Sequence, residues 1–369
     1  MNTPTLSRRT FSRLMGVSAA VAALQPRNAL KASSFSAAPS IVRLSSNENP
    51  YGPAPSALKA MTDGFSLAWR YPDEYADILA EELSRLHSVP VDQILLGDGS
   101  GEILKLCAAA FTSKTRKLVI PNPTFEAIAR HASVAQAEVM KIDLTSDYRH
   151  DLQKILAAAN GAGLVYICNP NNPTASITPK NEISEFLAKL SPSTIVLVDE
   201  AYHHYVESKD YESVIPLVKQ YPNLIVARTF SKIYGMAGLR CGYCVTQRGN
   251  IAPMRSHQIF DSVNIMALVA ALASLKDPEH VNRGRTLNTE VKKRVCAELD
   301  TLSYRYIPSH ANFMMIDLRR EVRPVISAMR NRGVEVGRLF PALPNFMRVT
   351  IGTEPQMTQF LSAFKEVMV

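Results

Sequence analysis

From about residue 68 to residue 255, short apolar runs alternate with stretches whose apolar residues recur every three or four positions. The apolar runs are Gln93–Gly97, Lys117–Ile120, Gly163–Cys168, Ser193–Val198 and Asn223–Arg228, each the length of one strand. Tyr75–Leu86, Ile103–Phe111, Phe125–Ala135 and Lys180–Leu190 carry helical spacing between them. Strands this apolar are buried on both faces. Separated by helices, they predict an α/β fold with a largely parallel sheet covered on both sides. This large domain is placed at 68–260. Beyond it, a helical stretch Asn264–Leu302 breaks near Asp277-Pro278 and leads to strands Phe313–Asp317, Val334–Gly337 and Phe346–Ile351. Helices Arg323–Arg332 and Glu354–Val367 complete a smaller α+β domain, placed at 261–369 with its linking helix. An extended arm rich in Pro and Asn, 39–67, precedes the large domain.

Composition changes this picture little. At 369 residues with 46% apolar content, the chain has ample material for two domains and reads as an ordinary soluble globular protein. The net charge of +8 is more informative by its placement. Arg8, Arg9, Arg13, Arg27 and Lys31 precede the first acid, Glu48, which leaves +3 for residues 32–369. No basic stripe with interleaved aromatics remains, so nucleic acid is not an expected partner. Paired Arg8-Arg9, the apolar run Leu14–Leu24 and a Ser/Ala-rich stretch read as a twin-arginine export signal with spacer over 1–38. The expectation is export to the periplasm or beyond, with no stable membrane anchor, because the run is too short to span a bilayer. The five cysteines form no disulfide framework. Cys241 and Cys244, three apart in a predicted strand, face opposite sides and read as core packing. The histidines show no ligand spacing, and no metal is expected.

Four motifs at predicted strand ends carry chemistry. In Thr229-Phe-Ser-Lys-Ile-Tyr-Gly-Met-Ala-Gly-Leu-Arg240, a lysine sits in a turn eight residues before an arginine. A partly desolvated lysine near a second cation can form a Schiff base with an aldehyde. A phosphate accepts two parallel N–H bonds from an arginine's planar fork. Aldehyde and phosphate on one small molecule suggest pyridoxal 5'-phosphate (PLP). The second motif is Asp199-Glu-Ala-Tyr202 after a buried strand, where a carboxylate needs a cationic partner such as a protonated pyridine nitrogen. The proton keeps that ring electron-withdrawing. Tyr202 is placed to meet the ring's phenolic oxygen. Third, Asn169-Pro-Asn-Asn-Pro-Thr174 is a rigid turn presenting Asn172 to the same oxygen. Fourth, Asp98-Gly-Ser-Gly-Glu102 feeds a helix N-terminus, a phosphate cradle to which Ser100 adds a hydroxyl. Each motif alone also reads as an ordinary loop; together they read as one site.

From about Val42 to the C-terminus the chain resembles the PLP-dependent aminotransferases of fold type I, class I/II. The branch it is most similar to is that of the histidinol-phosphate aminotransferases. The further residues that carry the resemblance are Leu44–Pro53, Arg70-Tyr-Pro-Asp73 and Met347-Arg-Val-Thr-Ile-Gly352. The resemblance implies a large, largely parallel sheet domain, a small α+β domain and a homodimer with shared active sites. It implies that Lys232 is the Schiff-base lysine, Asp199 pairs with the pyridinium, and Asn172 and Tyr202 hold the phenolic oxygen. Ser100, Gly101, Glu102, Ser231 and Arg240 belong to the phosphate end. Phe125, where a tyrosine is usual, stacks on the ring, and Tyr71 reaches the cofactor of the other subunit. Arg348 grips the substrate's anionic group, with Arg338 and Tyr51 as secondary contacts. The branch usually carries an arginine at the position of Gly337. Arg338 is displaced by one, and in a strand one residue turns a side chain to the opposite face.

The implied activity is ping-pong transfer of an amino group from an amino acid or amino-acid-like amine, of the histidinol-phosphate kind, to a 2-oxo acid such as 2-oxoglutarate. A PLP-dependent decarboxylase of the threonine-phosphate type shares the same motifs. The reading from another class is a non-catalytic binding protein on the same fold.

Overall fold

The computed structural model describes residues 41–368, so the expected export signal lies outside the described residues. Eleven strands are present among them: β1 (Val42–Arg43), β2 (Ile94–Gly97), β3 (Lys117–Asn122), β4 (Val139–Asp143), β5 (Ala162–Cys168), β6 (Ile195–Asp199), β7 (Leu224–Thr229), β8 (Gly242–Thr246), β9 (Phe313–Asp317), β10 (Val334–Glu335) and β11 (Phe346–Thr350). Seven form one sheet in the order β2-β8-β7-β6-β5-β3-β4. The run β7-β6-β5-β3-β4 is parallel throughout, whereas β8 is antiparallel to both β7 and β2. Parallel neighbours need a crossover of a dozen or more residues, usually helical. The segment 230–241 contains no helix and instead turns back, pairing Thr229 with Gly242. That turn is the segment carrying Lys232 and Arg240.

Every residue of β5, β6, β7 and β8 is buried. The alternation of side chains divides them between two apolar layers. Val165, Ile167, Val196, Val198 and Val226 face one layer, and Leu164, Tyr166, Leu197, Ile225 and Ala227 face the other. Cys241 and Cys244 are split between the same two layers. The edge strand β4, Val-Met-Lys-Ile-Asp, is only partly buried and was not among the expected strands. Its apolar signal is diluted because one side of an edge strand meets solvent.

The C-terminal part has its own core. β9 pairs antiparallel with β11, and Met314, Val349, Phe360 and Phe364 pack there with Leu44 from the start of the arm. β1 adds parallel to β10, which ties residues 42–43 to the C-terminal core. The arm is not extended throughout. Pro55 starts a helix, Pro55–Gly64, that packs on helix Ile265–Leu275, with Gly64 close to Val269. Ala267, Leu268 and Ala271 of the latter helix face the core of the large sheet, and the C-terminal cluster, Val42 and Leu44 apart, takes its residues from Val291 onward.

Candidate active site

The C-terminal ends of β2, β5, β6 and β7 meet at one edge of the sheet, the place where open α/β sheets bind ligands. A cavity of about 660 Å³ lies there. Its base is formed by Asp199, Tyr202, Asn172 and Lys232, and one end by Ser100, Gly101, Ser231 and Arg240. Phe125, Arg338 and Arg348 also reach the wall.

Asp199 closes β6 and is 3% exposed. One carboxylate oxygen accepts the Tyr166 hydroxyl at 2.9 Å and the other the Ala201 N–H at 3.1 Å. Both donors are neutral, so burial dominates and pushes the carboxyl up to about 6, although Tyr166 and Ala201 pull it down. Lys232 Nζ donates to the carbonyls of Asn47 at 3.1 Å and Ser46 at 3.4 Å. Burial, then the nearby Arg348, bring its ammonium down to about 8, against the opposing pull of Glu48 and Asp199. Tyr202 packs edge-on against Phe313, and its hydroxyl accepts from Asn47 at 3.1 Å and Asn172 at 3.4 Å.

Arg240 is fixed by bonds to Ser231 Oγ (3.2 Å), Ala237 O (3.0 Å) and Asp98 O (3.3 Å). It packs against Gly99, which begins helix Ser100–Phe111 at φ 71°, ψ 167°, a conformation essentially confined to glycine. A Cβ at Gly99 would lie 2.2 Å from Arg240. Substituting Gly99→Ala is therefore expected to cost about 1–3 kcal/mol of stability and to displace Arg240. Cofactor affinity of the apoprotein should fall roughly tenfold or more, the equivalent of one lost charge-assisted contact. Denaturant unfolding and PLP titration read the two effects, and unchanged affinity would remove Arg240 from the phosphate end.

Of the other expected residues, Arg338 lines this cavity, and Glu102, Tyr51 and Tyr71, the last expected at the other subunit's cofactor, do not. The Glu102 side chain does not line the cavity: its Oε2 accepts the Asp98 N–H and the Ser262 hydroxyl, both at 2.6 Å, bracing the turn from behind. Tyr71 is 82% exposed and Tyr51 is also exposed; neither lines the cavity of its own chain. Arg338 does line it, contrary to the strand argument, because β10 ends at Glu335 and alternation does not extend to residue 338. Arg338 bonds Glu126 at 2.7 Å across the mouth and lies over the Phe340 ring. Gly337 packs on Arg348, where a Cβ would lie 2.9 Å from its carbonyl and 3.2 Å from its Nε. A larger residue at 337 would press on Arg348, and Arg338 stands one position on.

Two residues escaped the sequence reading. Asn47 is 1% exposed and joins the arm to Tyr202, Lys232, Thr350 and Asn312. Tyr166 holds Asp199. Asn47 lay inside a motif already noted, but nothing in Gly163–Cys168 marks Tyr166 as more than core. Behind the site, Glu200 and Arg228 form a buried ion pair at 2.7 Å, shared with Ser213 and His203. No metal-binding group of His, Cys, Asp or Glu is found among the described residues.

Residues 39–364 match the family of class I and II aminotransferases. The chain belongs to that family. A histidinol-phosphate aminotransferase of Symbiobacterium thermophilum is 39% identical over 330 residues, covering 89% of this chain and 91% of the relative. The crystal structure of the histidinol-phosphate aminotransferase of Clostridium acetobutylicum superposes with a TM-score of 0.82 at 26% identity, covering 88% and 98% of the two chains. That of Sinorhizobium meliloti, in complex with PLP, superposes at 0.83 over 100% and 95%, and at 24% identity it speaks for the fold alone. The aminotransferase is a PLP-dependent transaminase with the α/β architecture of fold type I.

The residues present fit that cofactor. One end of the cavity is a helix N-terminus without a side-chain cap, two serines and an arginine, which together suit a phosphate. The other end holds a buried carboxylate with only neutral donors, which suits a protonated ring nitrogen.

Proposed function

We propose that this aminotransferase moves an amino group from an amine bearing an anionic group, of the histidinol-phosphate kind, to a 2-oxo acid such as 2-oxoglutarate. The observation that carries the reading is that Arg338 and Arg348 line the same cavity as Lys232. PLP, when bound, supplies an electron-withdrawing ring that stabilises charge developing at the substrate's Cα. Asp199 would hold its ring nitrogen, Asn172 and Tyr202 its phenolic oxygen. Ser100, Gly101, Ser231 and Arg240 would hold its phosphate, and Phe125 would cover the ring. The Lys232 amine, poised near neutrality, is the base that takes and returns the Cα proton.

Arg348 is held by bonds to Asn172 Oδ1 (2.8 Å) and Ser45 O (2.6 Å), a fixed geometry that suits a carboxylate. Arg338 is held loosely. Its ion pair with Glu126 is half in solvent, and such pairs contribute only about 0–1 kcal/mol. A substrate anion can therefore replace Glu126 at little cost. Tyr71, exposed beside the exposed Trp69 and not far in sequence from exposed Phe65, fits a contact with a second copy of the chain. The proposal therefore includes a homodimer, whose mass sedimentation equilibrium reads.

The test is a donor screen on the PLP-loaded protein with 2-oxoglutarate, reading glutamate formed. Donors with an anionic tail, histidinol phosphate among them, should exceed neutral aromatic donors in kcat/KM by about tenfold or more. Arg338→Ala should erase that preference and leave neutral donors within about threefold. A wild-type preference for neutral tails would sink the reading, and carbon dioxide release without glutamate would point to the decarboxylase.

A further inference from the structure

We propose that Tyr166 is a positioning residue that sets how strongly Asp199 binds the ring nitrogen of PLP. The inference rests on the reading of Asp199 as the partner of that nitrogen. In β5 and β6 the register places Tyr166 opposite Leu197 and Cys168 opposite Asp199. Side chains two apart share a face, so Tyr166 and Asp199 are diagonal neighbours on one side of the sheet, within reach of a long side chain. The Tyr166 hydroxyl donates to Asp199 Oδ2 at 2.9 Å.

This contact is an exception within its layer. Tyr166 is 0% exposed and packs among Leu118, Leu164, Leu197, Ile225 and Ala227. A phenol there needs a polar partner, and so does the carboxylate. Burial and the Asp199 charge both hold the phenol well above its ordinary value, so it remains a donor across the working pH range. Of the two donors that Asp199 has among the described residues, the Ala201 N–H is fixed by the backbone and only Tyr166 comes from a side chain. Tyr166 does not line the cavity, so it acts on the cofactor only through Asp199. With the hydroxyl in place the carboxylate is favoured as the charged form and is held in one orientation. Without it, burial favours the neutral acid, which binds a protonated ring nitrogen poorly.

The experiment compares the affinity of the full-length apoprotein for PLP and for its 1-deaza analogue, in which the ring nitrogen is replaced by C–H. In Tyr166→Phe the preference for PLP over the analogue should shrink by about tenfold, the scale of one hydrogen bond to a charged group. Binding of the analogue should be nearly unchanged. Asp199→Asn should abolish the preference, and Tyr166→Phe should then add nothing to it. Equal weakening of both ligands in Tyr166→Phe would mean a packing role and overturn the inference, as would an unchanged ratio. If Asp199→Asn itself keeps the preference, the reading of Asp199 fails instead. Tyr166→Met, which also lacks a donor, carries the same expectations if Tyr166→Phe does not accumulate as folded protein.

Discussion

Replacing Lys232 by alanine is expected to lower amino transfer by at least about 10³-fold, the largest single effect at this site. In the proposed reaction the amine has two tasks, nucleophile toward an aldehyde and base toward the Cα proton, and no other lysine lines the cavity among the described residues. Its environment prepares it for the second task. Burial and Arg348 lower its pKa to about 8, so a useful fraction is the free base near neutral pH. The fold does not depend on it. Of the carbonyls it bonds, that of Asn47 also accepts from Asn312 at 3.1 Å, so truncation leaves this buried acceptor satisfied. The melting temperature of the apoprotein should therefore change little while glutamate formation from 2-oxoglutarate nearly stops. Turnover within tenfold of wild type would remove Lys232 from the chemistry.

Arg348→Leu is the second large effect, expected to reduce kcat/KM by roughly 10²- to 10³-fold. Truncating one partner of a buried, hydrogen-bonded charge pair costs about 2–5 kcal/mol, and a substrate carboxylate here would lose such a partner. The substitution also removes the bond to Asn172 Oδ1, which fixes the amide whose Nδ2 donates to Tyr202. Part of the loss should therefore appear in kcat as well as in KM. Arg348→Lys separates charge from geometry. A lysine restores the positive charge but not simultaneous bonds to Asn172 and Ser45, so it should recover only a small part of the activity. Recovery to within threefold would show that the planar fork is not needed.

Much of this architecture was legible in the chain. The apolar runs that became β5, β6 and β7 are continuous because those strands are buried on both faces, and the motifs at their ends fell within a residue or two of the strand termini. Edge strand β4 was not legible, since solvent on one side breaks its apolar run. The reversal of β8 was implicit in the short, helix-free segment 230–241 but could be read only once Thr229 was seen to pair with Gly242.

For the site the division follows the same physics. Residue type and local spacing singled out Lys232, Asp199, Asn172, Tyr202, Ser100 and Arg240, which line one cavity, because each stands near a strand end whose position the apolar pattern marks. Glu102 satisfied the same local pattern, yet its side chain turned to the Asp98 N–H and Ser262, a choice made by a residue 160 positions away. Arg338 was expected as a secondary contact although alternation would turn it from the face of Gly337; it lines the cavity because the strand stops at Glu335. By itself, then, the sequence marked the candidate chemistry, a lysine, a buried carboxylate and a glycine-rich helix start suited to phosphate, in a chain that belongs to a family of aminotransferases. Only the tertiary structure decided which groups tune that chemistry. Asn47 meets Tyr202 from 155 residues away and Tyr166 meets Asp199 across 33, contacts set by the arm's path and by inter-strand register. Alternation along one strand says which residues share a face; the neighbour they face is fixed only when the strands pair.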